Sequence, residues 1–445
     1  MTQRGFTRRN FLKAATAGTI AATATGPLIG SSNSTKKLAI HGGDPVHRGG
    51  WPRWPIWDKA HDEQRVLEVL RSGVWSRRNV VAEFEKKYAA LMGTKRCLAT
   101  TNGTNALITA LSALDIGAGD EVLVGPYTFV ATVDAILLVG ALPVFVDTDR
   151  ETFTVDPEAM EDRITESTRA ILPVHILGLP ADMDKITALA KKHNLRIVED
   201  ACQAWMAEWR GKKVGSIGDL GCFSFQNSKN LTCGEGGAII GDDERLMDIC
   251  YSFHNFGRPY GTVSAGRGCV RLGTKARMAE YQAAILLAQM ERLEEQTSRR
   301  VENAAHLTSR LEPIPGIIPH KLNDGATRAA YHLYAFRYQQ EEFGGVPRST
   351  FLRALSAEGV PCSGGYSPLN KCDFLEHAFQ SKNFKKMYSP KQIERARQLS
   401  ECPENDRLCT EAVWIFQSLL LGSRQDMDDI ADAVEKIYEN RDQLV

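Results

Sequence analysis

Between Ala99 and Asp200, short apolar runs alternate with helical periodicities at the spacing of strand–helix units, and few architectures accept that order. Thr104–Leu114 reads as an amphipathic helix, Glu121–Val124 as a strand and Phe129–Val139 as a helix. Pro143–Val146 and Ala170–Val174 read as buried strands, Ile186–His193 as helical, and Arg196–Val198 as the strand that ends at Glu199-Asp200. Strands that are apolar throughout, rather than alternating, need cover on both faces. That implies an α/β fold with a parallel-rich sheet between helices. Ligands of such sheets sit at the carboxyl ends of the strands, which is where Asp200 falls.

Downstream the pattern changes. Met278 to roughly Leu311 is rich in Ala, Glu, Gln, Leu and Arg without Pro or Gly, and predicts one long helix leading out of the first domain. Past Pro313 the patterns shorten, with a strand around Tyr331–Tyr338 and helices at Ser349–Ala357 and Met427–Tyr438. At 445 residues the chain is too long for one ordinary domain. We therefore expect a large domain over 35–290 that begins with an amino-terminal arm, and a smaller α+β domain over 291–445.

Residues 1–34 read as a targeting segment. Thr7-Arg-Arg-Asn-Phe-Leu-Lys13 fits the twin-arginine signal pattern, and Ala14–Ile29 is a modest apolar run with Ala22-Thr-Ala24 as a cleavage site. That run is broken by Thr, Gly and Pro and is too short to span a bilayer. The expectation is export by the twin-arginine machinery to a periplasmic or extracytoplasmic location. Basic and acidic residues number 54 each, so net charge gives no support for nucleic-acid or membrane-surface binding. The ten cysteines show neither CxxC nor zinc-type Cys/His spacing, which points to free thiols and no metal.

Candidate chemistry centres on Phe223-Ser-Phe-Gln-Asn-Ser-Lys-Asn-Leu-Thr-Cys-Gly-Glu-Gly-Gly237. Lys229 stands in a small-residue turn, and glycines at 234, 236 and 237 mark backbone packed close to something. Asp200, 29 positions earlier, closes an apolar strand. A lysine amine to condense with an aldehyde and an aspartate to keep a pyridine nitrogen protonated are the two groups that pyridoxal phosphate (PLP) chemistry needs. Thr100-Thr-Asn-Gly-Thr-Asn-Ala106 precedes a helix, so Gly103 and Thr104 can offer donors to a phosphate at its positive end; an ordinary N-cap uses the same residue types. Ser224 adds a second hydroxyl. Gln203 is placed to hydrogen-bond a ring hydroxyl, and Phe129 to stack on a ring.

Together these strings resemble the DegT/StrS-type sugar aminotransferases, which are fold-type I PLP enzymes. The resemblance runs from about Leu38 to the last helix, through Gly42-Gly-Asp-Pro-Val46, Ser72-Gly-Val-Trp75, Asn102-Gly-Thr104, Pro126-Tyr-Thr-Phe129, Glu199-Asp200, Phe223-Ser-Phe225, Lys229-Asn230, Gly234-Glu-Gly-Gly237 and Arg277-Met278. It implies a mostly parallel seven-stranded sheet in the large domain and a homodimer with shared sites. It assigns Lys229 as the cofactor-linked lysine and Asp200 as the pyridine-nitrogen partner. Gln203 would lie beneath the ring and Phe129 on it, with Gly103, Thr104 and Ser224 on the phosphate. The family places an asparagine, supplied across the dimer, where Gly273-Thr-Lys275 puts Lys275; a lysine can serve the phosphate as a point charge.

The amino-terminal Gly-Gly-Asp-Pro-Val string and Trp51-Pro-Arg-Trp54 look most like the subgroup that aminates cyclitol ketones, and the aminohydroxybenzoate synthases share that style of start. The resemblance implies an amino-acid donor, glutamine or glutamate, and a keto-sugar or keto-cyclitol acceptor. Two alternatives stay open on the same fold: other PLP chemistry, and an exported binding protein without turnover. The tryptophans at 51, 54, 57 and 75 suit either a sugar-binding mouth or the packing of a docked arm.

Overall fold

The computed structural model describes residues 37–264 and 266–445, so the twin-arginine segment lies outside the described residues. An arm over residues 37–58 leads into the helices Lys59–Ser72 and Asn79–Met92. The sheet strands that follow are β1 (Arg96–Thr100), β2 (Glu121–Val124), β3 (Leu142–Phe145), β4 (Thr168–Leu172) and β5 (Arg196–Asp200). A two-residue hairpin, β6 (Glu208–Trp209) and β7 (Lys212–Lys213), precedes β8 (Leu220–Ser224) and β9 (Gly237–Gly241). The seven-stranded sheet has the order β1-β9-β8-β5-β4-β2-β3, with β9 antiparallel to both its neighbours and the other pairings parallel.

The strand expected at Glu121–Val124 has those bounds, and both faces of β2, β3 and β8 are buried, as their unbroken apolar runs require. Helices Gly103–Ala113, Val130–Leu138, Met183–His193 and Glu244–His254 cover the sheet. The three strands β10 (Ile317–Pro319), β12 (Leu333–Tyr338) and β14 (Ala412–Phe416), with β13 (Cys362–Ser363), form a separate antiparallel sheet of order β10-β12-β14-β13. Strand β11 (Ala326–Arg328) instead pairs with β6 in a small third sheet of order β11-β6-β7, tying the later half of the chain to the hairpin that follows β5.

The single helix expected over Met278–Leu311 is two helices, Glu280–Met290 and Leu293–Leu311. Nothing in the local composition breaks it. The break comes from tertiary anchors at the joint: Arg292 makes a bidentate pair with the buried Asp62 at 2.9 and 2.8 Å, and Gln289 Nε2 donates to Ile56 O at 2.8 Å. Those bonds hold the first helix against Lys59–Ser72 while the second turns towards β10 and the last helix, Arg424–Glu439.

The arm is fastened at both ends. The Ala39 and Val46 N–H groups donate to the buried carboxylate of Glu358, which also pairs with Lys436 at 2.8 Å. His47 Nδ1 lies 3.0 Å from Asp429 of the last helix, and its ring stacks on Trp51. All four indoles have partners: Trp51 on Gly359 O, Trp54 on Asn227 O, Trp57 on Glu63 and Trp75 on Leu70 O. Arm packing accounts for Trp51, whereas Trp54 reaches the turn that carries Lys229. All ten cysteines are free.

Candidate active site

Asp200 is the last residue of β5, and Ser224 the last of its parallel neighbour β8. Both therefore stand at carboxyl ends of strands, and both are buried. The Asp200 carboxylate is fixed from two sides: Thr132 Oγ1 donates to Oδ2 at 2.7 Å, and the Cys202 N–H donates to Oδ1 at 3.1 Å. Thr132 in turn bonds Thr128 at 2.8 Å. Beneath Asp200, the wholly buried Glu199 accepts from Gly215, Ile217 and Gly218 N–H groups and from His175 Nε2. Burial alone would raise the Glu199 carboxyl. The His175 imidazole and these N–H donors outweigh it and hold the group below the usual carboxylate range.

Gly103 opens the helix Gly103–Ala113, whose N-cap Asn102 accepts the Asn105 N–H at 2.8 Å. A Cβ at Gly103 would lie 2.8 Å from Ser224 Cβ and 2.9 Å from Cys202 Sγ, so this helix end is packed on the ends of β5 and β8. Gly237 closes the other side: a Cβ there would lie 2.4 Å from the Asn102 backbone. Gly236, where a Cβ would lie 2.8 Å from Cys233 Sγ, and Gly237 are thus close-approach residues, as their clustering suggests, whereas Gly234 has open space around it and is required instead by its φ of 91°. No hydrogen bond within the described residues engages the Gly103 and Thr104 N–H groups, which leaves a helix N-terminus with donors available to an anion. Gly103→Ala forces this junction apart. It should lower stability by about 1–3 kcal/mol, read as a drop in the urea midpoint; an unchanged midpoint would mean the helix start moves freely.

Lys229 is half-buried, with Nζ 6.0 Å from the centroid of the buried Trp205 ring. Burial lowers its pKa from 10.5, with Asp200 working against that shift. A lysine so placed carries more free amine at neutral pH than a surface lysine does. Gln203 is locked at both amide atoms, accepting the Leu177 N–H at 2.8 Å and donating to the Tyr366 hydroxyl at 2.9 Å. Tyr366 packs edge-on against Trp414 and Tyr127. Phe129 is the N-cap residue of Val130–Leu138, one turn before Thr132, and is 55% exposed.

Gly103, Thr104, Asp200, Gln203, Ser224, Phe129 and Lys229 thus belong to one end of the sheet. Lys275 does not join them. It is exposed, its backbone bridges Asn255, and among the described residues no contact links it to Lys229, Asp200 or Ser224. Thr132 and Trp205 escaped the sequence reading. Only Thr132 had a signal, its position one turn after Phe129 in the helix leading away from Pro126-Tyr-Thr-Phe129.

The chain matches the model of the DegT/DnrJ/EryC1/StrS aminotransferase family over residues 57–415. It is 36% identical over 423 residues to L-glutamine:2-deoxy-scyllo-inosose aminotransferase of Streptoalloteichus tenebrarius, covering 92% of this chain and 99% of that one. It is 35% identical over 419 residues to L-glutamine:scyllo-inosose aminotransferase of Streptomyces griseus, covering 91% and 98%. Among solved structures it is similar to 3-amino-5-hydroxybenzoic acid synthase, with a TM-score of 0.75 and 31% identity over 87% of this chain and 99% of that one. The aminotransferase from Psychrobacter cryohalolentis gives a TM-score of 0.76 at 30% identity, over 88% and 99%. With its sheet order, its strand-end aspartate, its lysine in the turn between β8 and β9 and these likenesses, the chain belongs to the DegT/DnrJ/EryC1/StrS aminotransferase family.

Proposed function

We propose that this chain moves an amino group from L-glutamine to a keto cyclitol of the inosose class, using PLP held at the strand ends. The observation that carries the reading is the pairing of a fixed, buried Asp200 carboxylate with a desolvated Lys229 amine beside the helix N-terminus at Gly103. The donor and acceptor rest on the relatives, whose names specify L-glutamine and inosose substrates.

The residues suit that cofactor. Lys229 would carry its aldehyde carbon, and Asp200 would face the pyridine nitrogen with Oδ1 and Oδ2 kept in place by Cys202 and Thr132. Gly103, Thr104 and Ser224 would receive the phosphate, and the exposed Phe129 ring would cover one ring face. When bound, PLP supplies the electron sink that stabilises a carbanion at the donor Cα. The protein supplies the proton handling: Lys229 Nζ, once free, takes the proton from the donor Cα as base and returns it as acid. Its depressed pKa favours the base form needed first. Gln203, fixed by Leu177 and Tyr366, holds the floor of the site rigid.

The test is to purify the protein and offer glutamine and scyllo-inosose or its 2-deoxy form, following the amino cyclitol. Product from inosose but not from keto sugars supports the reading. Turnover of keto sugars alone would replace the acceptor class, and none with any keto acceptor would remove the transaminase.

A homodimer follows from the same reading, and two features support it. Leu272, three residues before Lys275, is 87% exposed and Trp75 is 53% exposed, leaving large apolar side chains bare. Lys275 would then serve the partner's phosphate. Mixed Lys229→Ala and Lys275→Ala subunits should regain activity that neither has alone; no recovery despite exchange of subunits would leave each site to one chain.

We also propose export of the folded protein by the twin-arginine route. Thr7-Arg-Arg-Asn-Phe-Leu-Lys13 motivates it, as does a site built from segments as far apart as Thr104 and Lys229, which must assemble before a cofactor can be loaded. Among the described residues no helix is long and apolar enough to cross a membrane. Replacing Arg8 and Arg9 with lysines should hold the protein in the cytoplasm. Equal distribution of parent and variant on fractionation would remove the export claim.

A further inference from the structure

Lys229 is followed by Asn230, and Asn230 is where a distant segment takes hold of the lysine turn. Asn230 is 2% exposed. Its Nδ2 donates to Ala330 O at 2.9 Å, which commits its Oδ1 to accept. That oxygen lies 3.1 Å from Nδ1 of His332, also buried, so the imidazole donates there through Nδ1–H. The His332 ring meets the Trp205 ring edge-to-face at 6.0 Å between centroids, and Lys229 Nζ stands over the same indole. Lys229, Trp205, His332 and Asn230 therefore close a ring of contacts around the lysine.

The backbone beside this ring is held out of its preferred conformations. Leu177 and Tyr331, neither of them glycine, have φ of 60° and 48°. They meet at Gly178, where a Cβ would lie 2.7 Å from Tyr331 N and 2.9 Å from both His332 N and Gln203 O. Left-handed side-chain-bearing residues persist only where surrounding bonds over-determine them. Here those bonds include Leu177 N–H to Gln203 and His332 to Asn230.

We propose that His332 is a positioning residue for Lys229, holding the lysine turn through its Nδ1–H bond to Asn230 and sharing the Trp205 ring as a contact with the lysine amine. Burial, together with the positive charges of Lys229 and Arg300, keeps the imidazole neutral, so it adds no further charge beside the amine. Asp200 and Cys202 are the other titratable groups facing Lys229. The inference rests on the proposed PLP role of Lys229, but its test needs no substrate.

In the cofactor-free protein, competitive acetylation over a range of pH gives the midpoint at which Lys229 becomes reactive, by peptide mapping. His332→Phe keeps the ring and removes the bond; His332→Asn keeps a donor at the Nδ1 position. The Phe variant should move the Lys229 midpoint up towards that of a surface lysine, and the Asn variant should keep the parent's. In the loaded enzyme the Phe variant should lose about fivefold or more in kcat, the scale of one hydrogen bond, with KM for glutamine unchanged. A parent-like midpoint in a folded Phe variant, or equal shifts in both variants, would overturn the proposal. If the Phe variant fails to fold, Asn230→Ala cuts the same bond from its other end, and an unmoved Lys229 there also overturns it. Failure of the substrate test with intact midpoint shifts would instead remove the function reading and leave the positioning role standing.

Discussion

Lys229→Ala is expected to abolish transamination, with a loss of at least about a thousandfold, and borohydride should fix no cofactor to the active-site peptide. The reason lies in the placement of the amine, half-buried over Trp205 and within the field of Asp200. A covalent adduct at that peptide after reduction would identify another lysine as the anchor. The variant also carries a stability signature in the cofactor-free protein. Burial lowers the folded-state pKa of Lys229 below 10.5, so the unfolded chain binds a proton that the folded chain gives up. Parent stability should therefore rise with pH from the depressed folded value up to about 10.5, where folded and unfolded lysine are both neutral. The alanine variant should lack that rise in urea melts; identical pH dependence of parent and variant would mean that Lys229 titrates like an exposed lysine.

Asp200→Asn is expected to keep fold and cofactor binding while losing about 4 kcal/mol or more of transition-state stabilisation, roughly three orders of magnitude in rate. Structure should survive because Thr132 can reverse its hydroxyl to accept from an amide, with Thr128 Oγ1 as its further partner. A neutral amide, however, cannot hold a pyridine nitrogen protonated. Turnover within about tenfold of the parent would make Asp200 a structural residue.

What the sequence made legible is what short-range patterns encode. The bounds of Glu121–Val124, the acid closing the Arg196–Asp200 strand and the close-packed Gly236 and Gly237 all follow from runs of a few residues. The break between Met290 and Leu293 did not, because its cause is Asp62, some 230 positions away. Nor did β9, the one antiparallel strand of the large sheet, since Gly237–Gly241 looks like any buried run until its neighbours are known. The supports of the site were hidden for the same reason. Tyr366 and His332 come from beyond the first sheet to hold Gln203 and Asn230, and Trp205 is an indole in a turn with no periodicity around it. Lys275 was legible as a departure, but its exposure leaves its use to whatever covers that face.

The arm has one more consequence. It is bonded to the far end of the chain, with His41 on the Gln443 carbonyl, Lys436 on the Asp44 carbonyl and His47 on Asp429, and it runs from there to the lysine turn through Trp54. The two ends of the described chain are thereby stitched into one seam. Fraying of the last helix and release of the arm become a single opening event rather than two, and their amides should exchange with solvent deuterium at matched rates. The extremity that elsewhere would be the loosest part of a protein is here the fastening of a strap whose other end rests on the residue next but one to Lys229.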